Sequence, residues 1–209
     1  MIARRRALRR AGPLLALALL LLAAWPVAGV ALGFSRLYCP LANAVLAGHT
    51  FGQRGRARLQ PLPALTRRDG DSVTADAQLS LTVDGFEGAI PLGICLRRDV
   101  YLPLLLGIAV IACFPISAIR RLACAAIAAA ITVAAGIAAN ALVVAETFAT
   151  QLHGVYPPGD LQRRGLQLAY GALLAPPGNR FIAPIVLGAG LVLLMQQRGR
   201  RPDRAGAAA

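Results

Sequence analysis

Residues 100–145 read VYLPLLLGIAVIACFPISAIRRLACAAIAAAITVAAGIAANALVVA. Two apolar runs, Val100–Ala118 and Leu122–Ala145, are separated by little more than Arg120 and Arg121. About 20 apolar residues cross a hydrocarbon core of ~30 Å at ~1.5 Å per residue. Two such runs joined by a short basic loop predict an antiparallel pair of membrane helices. Alanines at i and i+4, such as Ala125/Ala129 and Ala135/Ala139, let helix backbones approach closely.

Working outward, Ala11–Phe34 is a third uncharged run, preceded by Arg4, Arg5, Arg6, Arg9 and Arg10. It predicts a first transmembrane helix, with Tyr38 as an interfacial aromatic just past its end. A cleaved signal peptide with its apolar part at Leu14–Ala24 is the competing reading. The run continues about ten residues beyond that part, which favours an anchor. Residues 181–197 form the last apolar run; at about 17 residues it reaches the lower limit for a span.

The expected fold is therefore an α-helical integral membrane protein of about four transmembrane helices. The segments are a basic N-terminus (1–10), helix 1 (11–34), a small β-rich domain (35–99), helix 2 (100–118), helix 3 (122–145), a loop with a short interfacial helix within 161–175 (146–180), helix 4 (181–197) and a basic tail (198–209). The β-domain rests on Val73–Asp84, where apolar Val73, Ala75, Ala77, Leu79, Leu81 and Val83 alternate with polar Thr74, Asp76, Gln78, Ser80, Thr82 and Asp84. Period two over twelve residues is a half-buried strand. Arg67–Asp71 reads as the turn before it. Gly55–Gln60 and Ala89–Leu96 are candidate neighbouring strands.

Composition supports the membrane and sets the orientation. Of the 209 residues 57% are hydrophobic, and all 22 basic residues are arginine against 9 acids, a net charge of +13. The excess of arginine flanks apolar runs, so nucleic acid is not an expected partner; the bilayer is. With four crossings, the N-terminus, the 119–121 loop and the C-terminus share one side and carry 5, 2 and 4 arginines next to helix ends. The opposite side holds 8 arginines in 35–99 and 3 in 146–180, with 8 of the 9 acids. The positive-inside rule then places both termini in the cytoplasm of a bacterial inner membrane and the β-domain outside.

Candidate chemistry is sparse. Cys39 and Cys95 bracket the exterior domain, and an oxidising compartment would permit a disulfide between them; two free thiols are the alternative. Asn140 is the only amide in an apolar helix and is expected to form an interhelical hydrogen bond. Glu146, His153 and Arg180 are the remaining polar groups near outer helix ends, and a small membrane enzyme or transporter component would have to use them. No nucleotide loop, metal-binding cluster or nucleophile–base pair with an orienting group occurs, so no catalytic residue, metal or cofactor is expected.

The order of an N-terminal span, a small exterior domain and a leucine-rich span opening Tyr101-Leu102-Pro103-Leu104-Leu105-Leu106 resembles the small membrane proteins associated with exosortases, in particular the exosortase H-associated type. Leu168-Ala169-Tyr170-Gly171 followed by Ala183-Pro184-Ile185 is similar to that family's C-terminal pattern. The resemblance implies an accessory role beside a membrane protease that processes proteins bearing a C-terminal sorting signal. The protease itself works with cysteine, arginine and histidine, a triad not placed in this chain.

Overall fold

The computed structural model describes residues 28–47, 55–66, 74–150, 159–173 and 179–200. Five helices and one three-stranded antiparallel sheet make up these residues: α1 Ala28–Leu46, β1 Gly55–Thr66, β2 Ala75–Val83, β3 Ala89–Ile94, a π-helical turn Arg97–Tyr101, α2 Leu102–Cys113, α3 Ala118–Thr150, α4 Asp160–Leu173 and α5 Asn179–Arg200. The chain divides into two compact units. One holds α1, the sheet, the π-helical turn, residues 134–150 of α3, and α4; the other holds α2, residues 118–133 of α3, and α5 from Phe181.

In the first unit the strands lie in the order β1-β2-β3. Leu59 pairs with Leu79 and Leu79 with Leu92; Ala57, Leu81 and Ile90 form the next row on the same face. Period two sends these side chains to one side, where Ala57, Leu59, Ala77, Leu79 and Leu81 are buried. The other half of this core comes from Tyr38, Cys39, Ala42 and Leu46, buried along one side of α1. The expected strands at 55–60, 73–84 and 89–96 thus correspond to real strands with shifted ends. The turn at Arg67–Asp71 lies outside the described residues.

Several boundaries differ from the expectation. Of the expected first helix (11–34), residues 11–27 lie outside the described residues; Phe34 does not end it, since α1, Ala28–Leu46, runs on past it. Ser35 and Arg36 read as an exit from the apolar run. Yet the Ser35 hydroxyl donates back to the Leu32 carbonyl at 3.0 Å, inside the helix, and the residues beyond it pack on the sheet. Helix 2 does not reach Ala118. It stops at Cys113, because Pro115 offers no N–H and disfavours helical backbone at Phe114.

Arg120 and Arg121 are not a loop; they lie in the first turn of α3, which extends from Ala118 to Thr150 and so also takes in Glu146. The actual connection, 114–117, is closed by side chains. Ser117 caps α3, its Oγ accepting the Arg120 N–H at 3.4 Å. The Arg121 guanidinium donates to the Phe114 carbonyl at 3.1 Å. The fourth apolar run becomes the longer α5, Asn179–Arg200.

Among the described residues, α3 is the one helix long and apolar enough to cross a bilayer by length and composition. Its 33 residues span about 50 Å. The 12 residues of α2 span only about 18 Å and depend on the preceding π-helical turn for further length.

The second unit packs small and large apolar residues together. Ile111, Cys124, Ala128 and Val192 form its buried centre, with Phe114, Leu187, Leu191 and Met195 against it. A Cβ added at Gly188 would lie 2.9 Å from the Gly107 carbonyl oxygen, so α2 and α5 cross with backbone nearly touching backbone. Other large apolar side chains of this unit point outward: Ile119 is 83% exposed, Leu122 72% and Val186 64%.

Candidate functional site

The sheet has one face free of α1. By the strand register it presents three rows: Arg56, Thr82 and Ala89; Arg58, Ser80 and Pro91; Gln60, Gln78 and Gly93. The arginines, Gln60, Thr82, Ala89, Pro91 and Gly93 are exposed, while Gln78 and Ser80 are half-buried. Hydrogen-bonding side chains on β1 and β2 therefore stand beside small apolar residues on β3. Arg56 pairs with Asp84 at 3.2 Å, with both side chains more than half exposed. Such a pair contributes at most about 1 kcal/mol and leaves the guanidinium free to exchange partners.

Both outer edges of the sheet are blunted. At the β1 edge, the Asn43 side chain from α1 accepts the Leu59 N–H at 2.8 Å and donates to the Leu59 carbonyl at 2.7 Å. One amide thus replaces a neighbouring strand. Because Leu59 points its backbone groups away from β2, Leu79 turns its own toward β3. Pro91 then falls at an outward-facing position, where its missing N–H interrupts the β3 edge. The open face is therefore the part of the sheet that neither α1 nor an edge cap covers.

A buried polar joint supports this face. Asp76 occupies the polar parity of β2 yet is fully buried. The chain leaving β3 folds over it, and its two carboxylate oxygens accept the N–H groups of Leu96 at 2.7 Å and Arg97 at 2.8 Å. These are orphan donors at the start of the helical run leading into α2. Burial pushes the Asp76 carboxyl above its usual range, and the two backbone hydrogen bonds pull it partly back.

Nearby, Phe34 stacks on Tyr38 and meets Tyr101, with ring centroids 5.8 and 5.3 Å apart. The Asn140 amide, from α3, donates to the Tyr38 hydroxyl at 3.0 Å. Gly136 makes room for this contact: a Cβ there would lie 2.6 Å from Val100 Cγ2 and 3.1 Å from Tyr38 Oη.

Comparison with protein-family models, curated proteins and solved structures returns no match.

Among the described residues, the other sequence-derived candidates are not assembled into a site. Cys39 and Cys95 carry free thiols in this structure. Asp76, rather than a sulfur bridge, joins β2 to the end of the domain. Burial pushes the Cys39 thiol up to about 11 and raises Cys95 as well, with the Asp76 charge contributing to both. Thiols so shifted carry little thiolate near neutrality and are poor nucleophiles. Glu146 is half-buried in α3. His49, His153 and the side chain of Arg180 lie outside the described residues. No cluster of three metal-ligating side chains occurs among the described residues.

Sequence reasoning passed over Asp76 and Asn43. Asp76 looks like any outward residue of an alternating strand, and only the returning chain at Leu96 buries it. Asn43, in the apolar context Leu41-Ala42-Asn43-Ala44-Val45, was the available signal: a lone amide on a helix face seeks a backbone partner.

Proposed function

We propose that this chain is a non-catalytic accessory membrane protein whose β-domain offers its open face to a polypeptide partner outside the cytoplasm. In this reading four helices cross the inner membrane and both termini are cytoplasmic. The observation that carries it is the contrast within one sheet. One side is covered by α1 over β1 and β2, both edges are blunted, and the remaining face bears two arginines and a row of amides and hydroxyls beside the small residues of β3.

The outward large apolar residues of α3 and α5 support membrane embedding. Counted along α3, Asn140 is about 27 Å from Leu122, close to one bilayer thickness. The Tyr38–Asn140 pair then falls at the outer interface, where amphipathic aromatics concentrate. The resemblance of Tyr101–Leu106 and of 168–171 with 183–185 to exosortase-associated proteins makes an exosortase-type sorting enzyme, or its substrates, the proposed partner.

The test is a photo-crosslinker at Ser80 in the full chain, expressed in its native host, followed by mild-detergent purification and mass spectrometry. Capture of an exosortase-type protease or a sorted substrate, lost on Arg58→Glu, is the expected result. Adducts restricted to transport components would overturn the family assignment. Loss of function on alanine replacement of Glu146, His153 and Arg180, with the Ser80 adduct absent, would instead support a membrane enzyme or transporter component.

A further inference from the structure

Helix α4 presents apolar side chains that the fold leaves uncovered. Leu161 is 85% exposed and Leu168 74% exposed. Seven residues apart, they lie within about 20° of one another on the helix surface. The fold takes up a neighbouring flank instead, where Leu166 and Ala169 are half-buried. Arg163, Arg164 and Gln167 are exposed on the remaining side.

The start of the helix is fixed locally, with the Gly159 N–H donating to Gln162 Oε1 at 3.2 Å and the Arg163 N–H to the Gly159 carbonyl at 2.9 Å. Apolar residues on one side and arginine on the other are the pattern of a helix lying in a membrane–water interface.

We infer that α4 lies on the bilayer surface and engages anionic phospholipid, with Leu161 and Leu168 inserted below the headgroups and Arg163 and Arg164 at the phosphates. This rests on the proposed membrane embedding and adds a lipid class to it. Two further observations favour lipid over a protein groove. Only residues 174–178 separate α4 from α5, and five residues reach at most about 18 Å, so α4 is tethered to a helix read as membrane-embedded. Arg164 also lies within about 60° of the exposed leucines on the helix surface, where its long side chain can rise toward phosphates while its stem stays apolar.

The experiment uses the full chain reconstituted in vesicles of phosphatidylglycerol or phosphatidylcholine. Trp25, the sole tryptophan, is first replaced (Trp25→Phe), and a reporter is placed by Leu168→Trp or, in a second variant, Leu161→Trp. Both sites are exposed, so folding should tolerate them. Vesicle flotation after alkaline extraction reports membrane integration separately.

The expected result is blue-shifted emission, strongly quenched by phosphatidylglycerol brominated near the headgroup and shielded from aqueous acrylamide. Arg163→Gln and Arg164→Gln should each lower the surface-bound to free ratio about fivefold in phosphatidylglycerol, and not in phosphatidylcholine. Integration with both reporters open to acrylamide would overturn the inference and leave the membrane reading intact. Equal quenching in the two lipids, unmoved by the arginine changes, would overturn the anionic selectivity. Failure to integrate would remove the membrane reading and this inference with it.

Discussion

Asp76 Oδ1 accepts the backbone N–H of Leu96 at 2.7 Å, across 20 residues of chain. With Oδ2 on Arg97, one carboxylate ends the sheet and begins the helical run toward α2. Asp76→Ala strands one buried and one part-buried donor, so a loss of roughly 2–4 kcal/mol is expected. Asp76→Asn keeps one acceptor and should cost less. Thermal unfolding in detergent, followed by circular dichroism, ranks the three proteins. Equal melting of wild type and Asp76→Ala would show that the joint carries no stability.

The pH dependence of the same group has a definite sign. Its folded pKa is raised, mainly by burial, so between the ordinary carboxylate value and the raised one the folded state binds more protons than the unfolded state. Stability then falls as pH rises through that window. The contribution of Asp76 is fully present below the unfolded value of about 3.9. Relative to Asp76→Asn, the wild type should therefore lose stability as pH increases from about 4. A parallel pH profile for the two proteins would contradict this.

Tyr38 and Asn140 should be energetically coupled. Both are buried, and their hydrogen bond ties α1 to α3 within one unit. A double-mutant cycle with Tyr38→Phe and Asn140→Leu is expected to give a coupling of about 0.5–2 kcal/mol. Additive losses would mean that the contact is incidental.

Two glycines of α5 should respond oppositely. Gly188→Ala pushes a methyl group to 2.9 Å from the Gly107 carbonyl oxygen, a backbone atom that cannot swing aside. A loss of about 1–3 kcal/mol is expected. A Cβ at Gly190 meets nothing within 4 Å, so Gly190→Ala should be neutral or stabilising by up to about 1 kcal/mol through helix propensity. Melting temperatures in the same detergent decide the comparison.

By itself the sequence determined the features that local chemistry sets. The alternation of Val73–Asp84 required a strand, and the apolar length of Leu122–Ala145 required a long helix, because each pattern reports which side of an element avoids water. The same logic located β3, α4 and α5 to within a few residues and the start, though not the end, of β1.

The tertiary structure decided where local pattern is silent. The sheet-facing side of α1 carries the helix past Ser35 to Leu46, and the chain returning at Leu96 turns Asp76 from an outward residue into a buried cap. The Leu59 backbone gives Asn43 its partner, and the Tyr38 hydroxyl gives Asn140 its own. A polar residue in an apolar segment shows only that a hydrogen bond is needed. Which atom supplies it depends on contacts 16 to 102 residues away, and only the packed chain brings those atoms together.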